Sequence, residues 1–176
     1  AVFVVVYISF MGYAGDRVTA WRHPELDPGD TGYQILQSLY AIGSGGLFGL
    51  GLGKSRQKYL YLPFQYNDYI FAIACEELGL VGAVGIMVLF ALLILRGFWI
   101  ARQAQTRFST ALAAGLISLI AVQTILNLCV VTNLLPSTGI ALPFFSYGGT
   151  ALAVNLGEMG IVLNISRKRT IQEANT

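Results

Sequence analysis

Asp68 stands where a polar loop meets a long apolar run, directly after Leu62-Pro63-Phe64-Gln65-Tyr66-Asn67. Pro63 ends any helix that precedes it. Either Asn67 or Asp68 could cap the helix that follows, and capping is the ordinary use of such a residue. Glu76 and Glu77 come soon after, inside the apolar run. Three carboxylates at one membrane boundary are costly unless solvated or paired. A carboxylate held there can accept the proton of a hydroxyl, such as a sugar hydroxyl, as a general base. Asp68 is therefore the catalytic candidate, and Glu76 and Glu77 are supporting candidates.

Three cations lie just upstream. Lys54, Arg56 and Lys58 could hold an anion as charge-assisted partners of phosphate oxygens, or could be ordinary loop charges. Gly53-Lys54-Ser55 looks like the end of a phosphate-binding loop, but Phe48 stands where that motif needs its first glycine, so nucleotide binding is rejected. Gly45, Gly46, Gly49, Gly51 and Gly53 are spaced for close helix approach, or for backbone that unwinds beside a ligand. Further on, Leu135-Pro136-Ser137-Thr138-Gly139 and Pro143-Phe144-Phe145-Ser146-Tyr147-Gly148-Gly149 bring Pro, Gly and small polar residues to membrane depth. Irregular backbone is tolerated there only against protein or a wet cavity. Ser146, Tyr147, Gly148 and Gly149 are accordingly expected to shape a substrate cavity. Glu158 is a carboxylate inside an apolar segment, with Asn155 or Asn127 as its expected hydrogen-bond partner.

The elements that position these residues follow from composition. Of 176 residues, 55% are hydrophobic and 11% charged, against about 25% charged in a soluble domain. The expectation is an all-α, polytopic helical membrane protein forming a single integral membrane domain over 1–176. The net charge of +2 gives no reason to expect a nucleic-acid partner, and one histidine with two cysteines cannot build a zinc cluster. Cys75 and Cys129 read as packed thiols. The opening run Ala1-Val2-Phe3-Val4-Val5-Val6 reads as the remainder of a helix rather than a signal peptide.

About five spans are expected at roughly 20 apolar residues each: the end of one at 1–13, a weaker one at 33–50, and three more at 69–100, 108–131 and 144–165. Arg96, Arg102 and Arg107 form one basic cluster, Arg167, Lys168 and Arg169 a second, Arg17 and Arg22 a third. The positive-inside rule then makes 14–32 a cytoplasmic loop and 167–176 a cytoplasmic tail, with outer loops at 51–68 and 133–143. Lys54, Arg56 and Lys58 disobey that rule.

Taken together, these segments resemble the SEDS family, the bacterial FtsW, SpoVE and RodA proteins. The resemblance covers almost the whole chain. It runs through Gly32-Tyr33-Gln34, Gln37-Ser38-Leu39, Gly43-Ser44-Gly45-Gly46, Ser55-Arg56-Gln57-Lys58, Asp68-Tyr69-Ile70-Phe71-Ala72 and Glu76-Glu77-Leu78-Gly79, and ends with Ser146-Tyr147-Gly148-Gly149 and Asn164-Ile165-Ser166-Arg167. The Ser-Arg-Gln-Lys and Asn-Ile-Ser-Arg segments look closer to FtsW and SpoVE than to RodA.

The resemblance implies the C-terminal half of a ten-span protein of the bacterial cytoplasmic membrane. It implies a peptidoglycan glycosyltransferase that polymerises lipid II on the outer face during division, elongation or sporulation, with a class B penicillin-binding protein as partner. It maps the family's essential aspartate onto Asp68. The alternatives are a flippase for lipid II and a non-catalytic scaffold of the division machinery. One departure stands out: Phe64 and Tyr66 occupy positions where the family usually has Glu and His. The family admits a divalent cation as cofactor, and these residues offer no clear ligand set for one.

Overall fold

The structure is a computed structural model. It describes residues 15, 17–26, 31–55 and 68–173, with the side chains of all but Leu26, Thr31 and 168–173. Among these residues there are helices and turns and no strand. After a helical stretch at 17–22 and a 3-10 turn at Pro24–Leu26, helix α1 runs Thr31–Ser44, α2 Ile70–Arg102, α3 Arg107–Val131 and α4 Gly149–Glu173.

Helix α2 is interrupted. Gly79 has φ 69° and ψ −169°, a left-handed conformation inside an otherwise helical run. From Leu80 to Arg102 the helix covers roughly 35 Å at 1.5 Å per residue, enough for a hydrocarbon core about 30 Å thick. Residues 70–78 form a separate half-helix. Helix α3 returns antiparallel. It is capped at its start by Thr106, whose hydroxyl accepts from the Ser109 N–H at 3.1 Å. The two helices meet closely where Gly97 leaves room for the buried side chain of Ile117. Both are long and apolar enough to span a membrane. Helix α4, 25 residues long, packs on both, and its mean hydropathy is lowered by Asn155, Glu158 and Asn164. The expected span at 144–165 becomes helical only from Gly149.

The tight core lies at the end of the bundle where α2 begins and α3 finishes. Ala41 of α1 packs there with Tyr69, Phe71, Ala72 and Cys75 of the half-helix, together with Val131 and Leu142. The Ser38 hydroxyl ties α1 to α3, lying 2.8 Å from Ile35 O and 3.3 Å from Val131 O. Cys75 and Cys129 are free thiols.

The expected topology is corrected here. The 33–50 segment is not a span: α1 has 14 residues, about 21 Å, and the chain then turns back. Arg17 Nη1 donates to Ser137 O at 2.7 Å, and Trp21 Nε1 donates to Asn133 O at 2.9 Å. The polar stretch read as a cytoplasmic loop over 14–32 therefore shares an end of the bundle with 133–143 and with Asp68. The physical reason is that Arg17 is retained by a backbone carbonyl rather than by the charge asymmetry that sorts short loops. The 1–13 segment lies outside the described residues.

Candidate active site

Asp68 is half-buried, two residues before the start of α2. The N-cap of α2 is Tyr69, and no side chain makes a capping hydrogen bond there. The carboxylate is thus not spent on capping. Its backbone carbonyl accepts from Asn127 Nδ2 at 2.9 Å. Gly139 faces the carboxylate so closely that a Cβ on it would stand 3.8 Å from Asp68 Oδ2. Burial pushes the Asp68 carboxyl above the ordinary carboxylate range, and the nearby positive charge of Arg17 partly offsets that shift. The neighbouring Tyr69 phenol is pushed up to about 12, by burial first and then by the Asp68 charge, with Arg17 opposing. A carboxylate of raised pKa is a stronger base than one in water.

The wall opposite Asp68 is the irregular chain between α3 and α4. Asn133 and Phe144 adopt positive φ of 57° and 65°, strained values for residues with side chains. A tight turn holds the second of these: the Leu142 N–H donates to Ser146 Oγ at 2.8 Å, and the Ser146 N–H returns a bond to Leu142 O at 3.1 Å. Ser146 lines a cavity of about 350 Å³ with Gln123, Ile140, Thr150 and Asn155. Ile140 belongs to both features, since it lines the cavity and follows Gly139. Tyr147 is 80% exposed, Gly148 precedes α4 and Gly149 begins it. Of the four residues expected to shape a cavity, Ser146 does so directly, while Tyr147, Gly148 and Gly149 stand at the helix start beside it.

On the other side of the half-helix, the break at Gly79 strands backbone groups that the glycine-rich turn collects. Leu50 and Gly51 N–H donate to Glu76 O and Glu77 O, both at 3.0 Å. Leu80 and Val81 N–H donate to Gly46 O at 2.9 Å and Leu47 O at 3.2 Å. This approach is possible only between glycines: a Cβ on Gly49 would lie 2.2 Å from Glu77 O, and one on Gly79 would lie 2.3 Å from Gly49 N. The glycines therefore serve packing, between a loop and an unwound helix rather than between two helix faces. Glu76 is 1% exposed and accepts a short hydrogen bond from the Ser55 hydroxyl. It anchors the loop that carries Lys54. Glu77 lines a small apolar groove with Leu52, Ile73 and Phe145, and its Oε1 finds no partner among the described residues. Lys54 is exposed. Arg56, Lys58, Phe64 and Tyr66 lie outside the described residues.

Among the described residues no group of three or more His, Cys, Asp or Glu side chains could hold a metal ion. Glu76 is already bonded to Ser55, so the described residues do not fit the divalent cation that the resemblance admits. Glu158 does not make the expected bond to Asn127, whose amide N–H groups point elsewhere, and its Oε2 lacks a partner among the described residues. Two residues of the site were missed by sequence reasoning, Arg17 and Asn127. In the sequence Arg17 reads as a topology signal. Asn127 sits in a long apolar helix and reads there as a partner for Glu158, although a lone amide inside an apolar span is itself a signal of a buried polar contact.

Residues 1–171 match the family model of the cell cycle proteins FtsW, RodA and SpoVE. The chain is 51% identical over 155 residues to stage V sporulation protein E of Bacillus subtilis, covering 88% of this chain and 42% of that one. It is 47% identical over 166 residues to a probable peptidoglycan glycosyltransferase FtsW of Geobacter sulfurreducens, covering 93% and 44%. The chain thus spans less than half the length of these curated relatives. A solved peptidoglycan synthase complex, described as coordinating polymerization and crosslinking, superposes with a TM-score of 0.72 at 32% identity, over 96% of this chain and 46% of that one. A crystal structure of an aspartate-to-alanine mutant of the Thermus thermophilus rod shape determining protein RodA superposes with a TM-score of 0.58 at 34% identity, over 75% and 40%. The matched family model, the relatives and the shared polytopic fold give one conclusion: this chain belongs to the FtsW, RodA and SpoVE family of membrane proteins.

Proposed function

We propose that the protein is a peptidoglycan glycosyltransferase of the bacterial cytoplasmic membrane that joins lipid II units into glycan strands on the outer face. The single observation that carries this reading is the half-buried Asp68 carboxylate, uncapped, near the positive charge of Arg17 and facing Gly139, whose neighbour Ile140 lines a cavity. In the reaction the acceptor sugar's hydroxyl oxygen attacks the donor's anomeric carbon. The bond from that carbon to the diphosphate oxygen breaks, and undecaprenyl diphosphate leaves with the electron pair. The hydroxyl proton passes to Asp68, and the anomeric centre inverts.

Lys54, with Arg56 and Lys58, serves to neutralise the leaving diphosphate. Ser146 and its neighbours Tyr147, Gly148 and Gly149 shape the pocket for the sugars. Glu76 supports the loop carrying the cations, and Glu77 stays a secondary carboxylate of the site. The partner is a class B penicillin-binding protein, in keeping with the polymerization and crosslinking ascribed to the solved synthase complex that this chain resembles.

The test is glycan formation by the whole protein purified with that partner and supplied with lipid II. Asp68→Asn keeps the side chain's size and is expected to leave the protein folded while lowering the rate by on the order of 100- to 10,000-fold. Glycan formation at the parent rate by Asp68→Asn would move the base elsewhere. Loss of lipid II movement across vesicles, with polymer formation intact, would favour the flippase reading.

A further inference from the structure

We propose that Asn127 is a positioning residue for Asp68: by holding the backbone carbonyls of Asp68 and Ile140 on one amide, it fixes the distance between the base and the cavity wall. The inference rests on Asp68 being the base.

Asn127 lies one turn before the end of α3 and is 1% exposed. Its Nδ2 donates to Asp68 O at 2.9 Å and to Ile140 O at 2.8 Å. An amide NH2 has two hydrogens, and both are committed to carbonyls of two segments far apart in sequence. The orientation of the amide is fixed by its surroundings. The reverse orientation would set Oδ1 against two carbonyl oxygens. Oδ1 itself finds no donor among the described residues, so the side chain leaves an acceptor unmet in order to keep both donors in place.

What these two bonds locate matters more than their number. Asp68 O belongs to the residue that carries the carboxylate. Ile140 O belongs to the residue after Gly139, which faces Asp68 Oδ2, and Ile140 also lines the cavity with Ser146. Three residues upstream, Ser137 O holds Arg17. One amide therefore sets the base against the wall that carries both the cavity and the cation. It does so through backbone carbonyls, leaving the carboxylate available for a proton. Burial strengthens both bonds relative to bonds in water.

A displacement of about 1 Å at a reacting group costs on the order of 100-fold in rate. Asn127→Ala is expected to lower kcat for glycan formation by roughly that factor with little change in KM for lipid II, and to shift the acid limb of the pH profile, because the surroundings of Asp68 change. In an Asp68→Asn background the same substitution is expected to add nothing, since no base remains to be placed. Asn127→Ser guards against a variant that fails to fold. Its hydroxyl and an admitted water can satisfy the two carbonyls without keeping their spacing, so it too is expected to lose kcat. Thr124→Ala, which removes a buried hydroxyl bonded within the same helix to Ile120 O, is the control for simple destabilisation and is expected to keep the parent kcat.

Full activity of Asn127→Ser beside an inactive Asp68→Asn would overturn the positioning role alone. Losses from Asn127→Ala and Asp68→Asn that multiply would do the same, as would a loss confined to KM. Parent activity of Asp68→Asn would instead remove the base assignment, and this inference with it.

Discussion

The two ends of the helical bundle solve different problems. At one end α2 passes into α3 through Gln103–Thr106, capped by Thr106, with Arg96 lying 4.0 Å over the Trp99 ring and Arg102 and Arg107 flanking the turn. The contacts named there are all between residues close in sequence. At the other end α2 is broken at Gly79, a glycine turn fills the break, α1 stops short of crossing, and the chain between α3 and α4 takes strained backbone angles. Contacts there join residues more than a hundred positions apart, as between Arg17 and Ser137. The difference teaches how to read charge in a membrane sequence. Arginines on a short turn mark a side of the membrane, because nothing else holds them. Arg17 sits in a long irregular region and is held by a carbonyl beside a carboxylate, so its presence carries no such message.

The sharpest way to break this comparison is labelling, where the expected outcome is all or none. In a background without Cys75 and Cys129, His23→Cys and Leu134→Cys should react with an impermeant thiol reagent from one side, and Gln105→Cys only from the other. Reaction of His23→Cys together with Gln105→Cys would restore the cytoplasmic reading of 14–32. Next in size is a chemical contrast between the ends. Asp68→Glu moves the carboxylate by about an ångström and should lower glycan formation about 100-fold, whereas Arg102→Gln should leave the rate unchanged.

The broken helix gives a third contrast, read by thermal melting in detergent. Gly79→Ala places a Cβ 2.3 Å from Gly49 N at a left-handed φ, and should destabilise by about 2–5 kcal/mol. Gly85→Ala, in the regular part of α2 with nothing within 4 Å, should be neutral or stabilising by about 0.5–1 kcal/mol. Equal melting temperatures would mean that the loop does not dock on the break.

Two smaller effects test the cations. Lys54→Gln should weaken lipid II use by roughly tenfold, as expected for one charged hydrogen bond to the diphosphate; unchanged kinetics would leave Lys54 an ordinary loop charge. Arg17→Gln should move the acid limb of the pH–rate profile. The base works only when ionised, so activity falls as pH drops through the Asp68 pKa. That pKa already stands above the ordinary value because of burial, and Arg17 holds it down, so removing Arg17 should shift the limb to higher pH. An unmoved limb, or one moved to lower pH, would show that Arg17 does not act on Asp68.

Much of this was legible in the residues themselves. Leu, Ile, Val and Ala runs of sufficient length determine α2 and α3, because the hydrocarbon core demands about 20 apolar residues whatever else the protein does. The helix start after Asp68 and the irregular chain around Pro136, Gly139 and Pro143 follow from local backbone preferences, and the order of the motifs identified the family. Three things were decided only in the tertiary structure. Whether 33–50 crosses depended on where α1 stops and on the hydrogen bonds from Ser38 and Trp21 that dock its neighbourhood at one end. Whether the glycines pack helices or plug a break depended on the left-handed turn at Gly79, whose freed carbonyls and N–H groups had to be met by another segment. Whether Asp68 caps a helix or faces the chain between α3 and α4 depended on Asn127 and Gly139, residues with no sequence neighbour in common with it. Hydropathy and backbone propensity act within about twenty residues and can be read along the chain. The bond that places Asp68 joins it to Asn127, 59 positions away, and only the fold brings such partners together.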